Sequence, residues 1–153
     1  MRLRSLVLLL LGALSCAKPQ DPVPASNGSY TLDGVLRRCQ ATTSTYTNTF
    51  YGGQTKDVLL VHLTTVPQPE SGAECLELTY FKDGRQPSTA YQPVNTGILW
   101  VRNHGYRYTF DNATTSLTAT STGFSGTYAG KIIGDPDPYA AIADGVFTDA
   151  RPE

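Results

Sequence analysis

Side chains able to perform acid–base or nucleophilic chemistry are few in this 153-residue chain. The two histidines are His62, in an apolar stretch, and His104, at a predicted hairpin tip. A lone histidine such as His62 is expected to be half-buried and structural. The segment GFSGT at 123–127 is not the GxSxG of a nucleophile elbow, because its second glycine arrives one residue early. General acid–base catalysis needs partners within hydrogen-bond reach, so we expect no enzymatic activity and no cofactor.

Two carboxylates and an aromatic ring stand together in the segment GDPDPY, as Asp135, Asp137 and Tyr139. Carboxylates two residues apart in a loop can bind calcium together with backbone carbonyls. The spacing matches no standard calcium loop, however, and Asp-Pro pairs are also common in ordinary turns. We therefore predict a binding loop for a protein or glycan partner here, without assigning a metal, and calcium binding stays open.

Cys16 follows a stretch typical of a secretory signal peptide, predicted over residues 1–15. Arg2 and Arg4 precede the apolar run 6–14, which is shorter than the ~20 residues of a membrane-spanning helix. The residues ALSC at 13–16 are similar to a bacterial lipobox, in which the cysteine is acylated and becomes the mature N-terminus. We expect a lipid on Cys16 to hold the protein at a membrane. The alternative is an ordinary signal peptide and a soluble secreted protein.

The other two cysteines are Cys39 and Cys75. Acylation of Cys16 would leave them as a pair, and an exported protein meets an oxidising compartment, so we predict a Cys39–Cys75 disulfide. The chain has no CxxC motif, and neither a redox site nor a zinc site is predicted.

Composition divides the rest of the chain into a tether and one domain. Residues 16–28 carry prolines at positions 19, 22 and 24 and little apolar content, which predicts a disordered, extended tether. Residues 29–153 form a single predicted β domain. Without Arg2 and Arg4, 10 of the 12 basic residues remain against 13 acidic ones, a net charge of about −3. No basic patch is present, so a nucleic-acid partner is not expected.

Short alternating stretches separated by Gly, Pro, Asn and Asp recur along the domain, which is the all-β pattern. Asp33-Gly34 predicts a tight hairpin. In two of the stretches we expect Leu59, Val61 and Leu63, and likewise Leu76, Leu78 and Tyr80, to point inward. About nine mostly antiparallel strands are predicted, arranged as a β-sandwich. A lipocalin-like up-and-down barrel is the alternative, but the threonine-rich stretches 41–49 and 114–120 suit an apolar lumen poorly.

Aromatic residues give the one hint of a binding surface outside the loops. Tyr106, Tyr108 and Phe110 alternate along one predicted strand, opposite Ile98 and Trp100. If that face looked outward it would suit a sugar or a protein. We interpret it instead as core, where large aromatics contribute most.

Three short motifs recur in a recognisable layout: the LDGV turn at 32–35, the FSGTY strand at 124–128 and ADGVF at 143–147. In this layout the chain resembles small all-β lipoproteins of Bacteroidetes-type bacteria. The resemblance implies a cell-envelope location, in particular an outer-membrane lipoprotein, and no catalytic residue. We expect an exported, lipid-anchored protein with a non-enzymatic binding or structural role. The alternative function is a lipocalin-like carrier of a small apolar ligand.

Overall fold

The computed structural model describes six stretches of the chain: residues 25–50, 52–66, 74–102, 104–111, 113–133 and 141–153. The predicted signal peptide, Cys16 and most of the tether lie outside these residues. So does the predicted binding loop with Asp135, Asp137 and Tyr139.

The described residues form nine strands and one 3₁₀ turn, which confirms the predicted all-β class and strand number. The turn is Ser88–Ala90. The strands are β1 Gly28–Leu32, β2 Val35–Thr49, β3 Thr55–Thr65, β4 Glu74–Asp83, β5 Gln92–Val101, β6 His104–Phe110, β7 Ser116–Ala119, β8 Phe124–Ile132 and β9 Ala141–Pro152.

All nine strands belong to one sheet whose pairings return to their starting point. Antiparallel pairs run in sequence from β1 to β6, then from β6 to β8, β8 to β9 and β9 back to β1. Strand β7 attaches to β8 outside this circuit. The end of β9 also pairs in parallel with the middle of β2. A ring of this kind encloses a core, and when flattened it presents two facing layers, so it agrees with both predicted architectures.

Period-two alternation decides which side chains enter that core. The inward positions predicted for β3 and β4 are confirmed, because Leu59, Val61, Leu63, Leu76, Leu78 and Tyr80 are all buried. The interior is notably aromatic. Its largest fully buried side chains are Tyr30, Tyr80, Tyr108, Tyr128 and Phe147, and burial of each such ring stabilises the fold by about 1.5–3 kcal/mol.

Glycines make room for these rings on the inner face. A Cβ on Gly97 of β5 would lie 2.4 Å from a ring carbon of Phe110 and 2.6 Å from the backbone oxygen of Glu77. The predicted hairpin between β1 and β2 is confirmed: Asp33 and Gly34 both have positive φ, at 47° and 78°. This is the conformation that a type I′ turn requires.

Candidate functional site

Two rows of side chains cross the outer face of strands β3 to β6. In the first row, Thr64 faces Cys75, Cys75 faces Trp100, and Trp100 faces Gly105. In the second, His62 faces Glu77, Glu77 faces Ile98, and Ile98 faces Arg107. The residues between them point into the core. We call this surface the outer platform, made of Thr64, Cys75, Trp100, Gly105, His62, Glu77, Ile98 and Arg107.

The ring of Trp100 lies close to the backbone of the neighbouring strand at Gly105. A Cβ placed on Gly105 would be 3.0 Å from Cζ3 and 3.2 Å from Cη2 of the indole. A side chain at that position would have to move the indole by a few tenths of an ångström. The end of the ring therefore packs against β6, and the side chain is still 41 % exposed. Trp100 thus presents an aromatic surface to solvent.

The other aromatics of this hairpin lie on the opposite face. Tyr108 and Phe110 are buried, and Tyr106 is partly buried against the same core. The predicted core position is confirmed for these three residues, but it is wrong for Ile98 and Trp100, which lie on the outer face with Arg107 and Gly105. The hairpin therefore has an aromatic inner face and an outer face on which Trp100 is the large ring.

Two platform residues, a histidine and a glutamate, meet a serine of the neighbouring strand β2. The Oγ of Ser44 on β2 lies 3.1 Å from Nε2 of His62, whereas Nδ1 of the same ring lies 3.7 Å from Oε2 of Glu77. The sequence analysis expected no nucleophile–base pair. The contact between Ser44 and His62 corrects that expectation. The three residues come from three neighbouring strands, so the pair becomes visible only when the strand register is known.

The order of the three groups is that of a serine–histidine–acid triad, but the described residues do not place the other parts of such a site around them. The distance of 3.7 Å to Glu77 is beyond that of a hydrogen bond. The side chains of His62 and Glu77 are each 26 % exposed on an open sheet surface. Strands β3 and β4 have paired neighbours on both sides, so their backbone N–H groups are not free to stabilise an oxyanion. The trio therefore orients polar groups at the edge of the platform.

The predicted Cys39–Cys75 disulfide is wrong, because both cysteines are free thiols. Cys39 on β2 faces Thr65 and Cys75 on β4 faces Thr64, so the two side chains project from opposite faces of the sheet. Strand β3 also lies between them, which separates their backbones by about 9–10 Å at ordinary strand spacing. Disulfides need Cα atoms within about 7 Å. Burial raises the pKa of the Cys39 thiol to about 12.

A buried polar cluster connects strands β1 to β4, each of which contributes one side chain. Glu74, only 5 % exposed, accepts a hydrogen bond of 2.6 Å from the hydroxyl of Tyr30 and one of 3.3 Å from that of Thr65. The Nε of Arg37 lies 3.3 Å from the same carboxylate oxygen. Burial, followed by the hydrogen bond to Glu74, raises the pKa of Tyr30 well above its usual value. Because these partners satisfy its carboxylate, Glu74 has a structural role.

Comparison of the chain with protein-family models, curated proteins and solved structures gave no match. Among the described residues, no group of three or more His, Cys, Asp or Glu side chains is placed to hold a metal ion. The same residues contain no helix with the length and apolar character needed to cross a bilayer. With no related protein to indicate a site, the candidate is chosen from the geometry alone. It is the outer platform, because that surface faces solvent.

Proposed function

We propose that this chain is an exported, lipid-anchored protein of the bacterial cell envelope whose β domain binds a partner through the outer platform. The sequence before the domain supports the location, with Arg2 and Arg4, the apolar run 6–14 and the lipobox-like ALSC ending at Cys16. The first strand begins at Gly28, so a proline-rich segment of about a dozen residues would span ~35 Å between lipid and domain.

The observation that carries the binding role is the exposed ring of Trp100, packed closely against Gly105. Large aromatic side chains that stay exposed on a rigid scaffold are common anchors in binding sites. Around this ring stand Glu77 and Arg107, which bring opposite charges and several hydrogen-bonding groups. The loop with Asp135, Asp137 and Tyr139 remains a second candidate contact for the same partner.

The anchor is tested by replacing the acylated residue. Cys16→Ser should abolish labelling with a palmitate analogue and move the protein out of the detergent phase, or leave it as uncleaved precursor. Cys75→Ser is the matched control, because its thiol lies within the folded domain and should not affect labelling. Labelling that persists in Cys16→Ser would refute the lipid anchor.

The alternative of a carrier for a small apolar ligand has less support. Such a carrier needs an open lumen, whereas Tyr30, Tyr128 and Phe147 fill the core of this ring. The ring centroids of Tyr30 and Tyr128 are 6.3 Å apart, and so are those of Tyr128 and Phe147. A saturable increase in the fluorescence of an apolar dye, lost when one of these rings is replaced by a charged residue, would favour the carrier.

A second candidate function, ester hydrolysis, is suggested only by the 3.1 Å contact between Ser44 and His62. We expect no turnover of p-nitrophenyl acetate above the rate of a Ser44→Ala variant, because the part of the chain that the structure describes supplies neither oxyanion donors nor an acid within hydrogen-bond distance of His62. Fluorophosphonate labelling of Ser44 that is lost in His62→Gln would overturn this expectation and establish a reactive serine.

A further inference from the structure

The apolar part of the outer platform is small and has the size of a single ring. Trp100 is 41 % exposed, which leaves on the order of 100 Å² of indole surface open, given the total area of such a side chain. Ile98 of the same strand lies beside it and is only half exposed. A stable protein interface buries about 800 Å² on each partner around an apolar centre. The platform therefore suits a ligand with one small apolar face.

Polar groups surround that apolar surface at short range. Glu77 on one neighbouring strand and Arg107 on the other are diagonal neighbours of Trp100 in the sheet. Diagonal positions lie about 7–8 Å apart, within reach of long side chains. Glu77 accepts hydrogen bonds and Arg107 donates them, so both sides of the ring offer hydrogen bonds of opposite polarity.

Charges of both signs surround the ring. Glu77 and Arg107 carry opposite charges, Thr64 and Cys75 are uncharged, and the carboxylate of Glu153 lies close enough to act on the thiol of Cys75. A polyanion would be attracted by Arg107 and repelled by Glu77, and a polycation would meet the reverse. A ligand with hydroxyl groups, which both donate and accept hydrogen bonds, satisfies both residues without carrying a charge itself.

We infer that the outer platform binds a neutral glycan, with one pyranose ring stacked on Trp100 and its hydroxyl groups hydrogen-bonded to Glu77 and Arg107. A pyranose has a C–H face that is apolar and a rim of hydroxyl groups, which matches a flat indole with a polar surround. Gly105 positions the indole, because a Cβ there would press on the ring, 3.0 Å from Cζ3. This assignment rests on the proposed binding function and names its ligand class.

Trp100 is the only tryptophan of the chain, so intrinsic fluorescence reports directly on this site. The full chain, purified in a detergent without a sugar headgroup, is titrated with maltohexaose, cellohexaose and mannohexaose. Polygalacturonate and phosphatidylcholine vesicles serve as comparison ligands. We expect a saturable change in the emission of Trp100 with at least one neutral oligosaccharide, and a weaker response to the acidic polymer and to vesicles.

Variants separate stacking from general surface effects, with calorimetry as the readout. Trp100→Ala should weaken binding about tenfold or more, as expected for truncation of an aromatic anchor, whereas Trp100→Phe should retain most of it. Gly105→Ala should weaken binding by displacing the indole. Tyr46→Ala is the matched control, since Tyr46 is another exposed aromatic, 49 % exposed on the outer face, and lies outside the platform.

Three results would overturn the inference: no saturable response to any neutral oligosaccharide, equal affinity in Trp100→Ala with its melting temperature unchanged, or a stronger response to vesicles or to polygalacturonate. None of these results bears on the proposed lipid anchor, which is tested separately by Cys16→Ser. Loss of the anchor with sugar binding intact would instead refute the location and keep the ligand.

Discussion

Alkaline pH should unfold this protein through four buried groups that ionise far more easily in the unfolded chain. Cys39, Tyr30, Tyr80 and Tyr128 are each at most 1 % exposed. Burial raises the pKa of Cys39 from 9.0 to about 12, and the nearby charges of Cys75 and Glu74 act in the same direction. Burial likewise raises the pKa of each of the three tyrosines well above 10.0.

The direction in which pH changes the free energy of unfolding follows from the number of protons bound by the folded and the unfolded chain. A group whose pKa is higher in the folded state stabilises the fold below its unfolded pKa. That contribution is lost as the pH rises toward the folded pKa, because the unfolded chain then holds fewer protons. Each group contributes a loss of about 1.4 kcal/mol per pH unit. Starting from 9.0 for Cys39 and 10.0 for each tyrosine, the loss at pH 11 is about 7 kcal/mol. Typical domain stability is about 5–15 kcal/mol.

Urea unfolding followed by Trp100 fluorescence at several pH values measures this directly. Between pH 9 and 10 the loss in wild type should come from the buried thiol of Cys39, so Cys39→Ala should flatten that part of the profile. Tyr46→Phe is the control, because it removes an exposed tyrosine and should leave the profile unchanged. A free energy of unfolding that stays constant to pH 11 would refute the buried, protonated state of these groups.

Three further predictions concern the packing and the accessibility of side chains in the β domain. Gly97→Ala should lower the free energy of unfolding by about 3 kcal/mol, since its Cβ would lie 2.6 Å from a backbone oxygen of the facing strand; a change below 1 kcal/mol in urea unfolding would contradict this. Tyr30→Phe should cost about 1.5–3 kcal/mol because Glu74 loses a charge-assisted donor, and Tyr30→Phe with wild-type stability would argue against the buried cluster. In the folded protein an alkylating reagent should modify Cys75 well before Cys39, as read by mass spectrometry without reduction, and a peptide pair joined by a disulfide would disprove the strand register.

Local features of the fold could be predicted from the sequence because they depend on neighbouring residues. The Asp33-Gly34 turn and the inward leucines of β3 and β4 follow from backbone preference and alternation. Strand limits are harder to predict, since β2 runs unbroken through positions 35–49, of which the sequence analysis singled out only the threonine-rich stretch 41–49. Closure of the ring could not be foreseen, because it joins Gly28 of β1 to Phe147 of β9, and no local signal specifies a pairing over that separation.

The candidate site and the failed disulfide share one cause, which is strand register. A residue shifted by one position points to the other face of the sheet. Cys39 pairs with Thr65 whereas Cys75 pairs with Thr64, and this single step places one thiol in the core and the other on the platform. Counting cysteines could not reveal this step. The meeting of Ser44 with His62 was missed for the same reason.

Register also connects the stability of the domain to its proposed function through the hairpin of β5 and β6. On the inner face, Gly97 admits the ring of Phe110, and on the outer face Gly105 admits the ring of Trp100. A slip of one residue would carry Trp100 into the core and expose the inner aromatics, so the packing that holds the core also presents the indole. Gly97→Ala should therefore disturb glycan binding only by unfolding the hairpin, whereas Gly105→Ala should weaken binding in a domain that remains folded. Comparing these two glycine variants by thermal unfolding and by calorimetry separates the role of the core from the role of the surface on the same pair of strands.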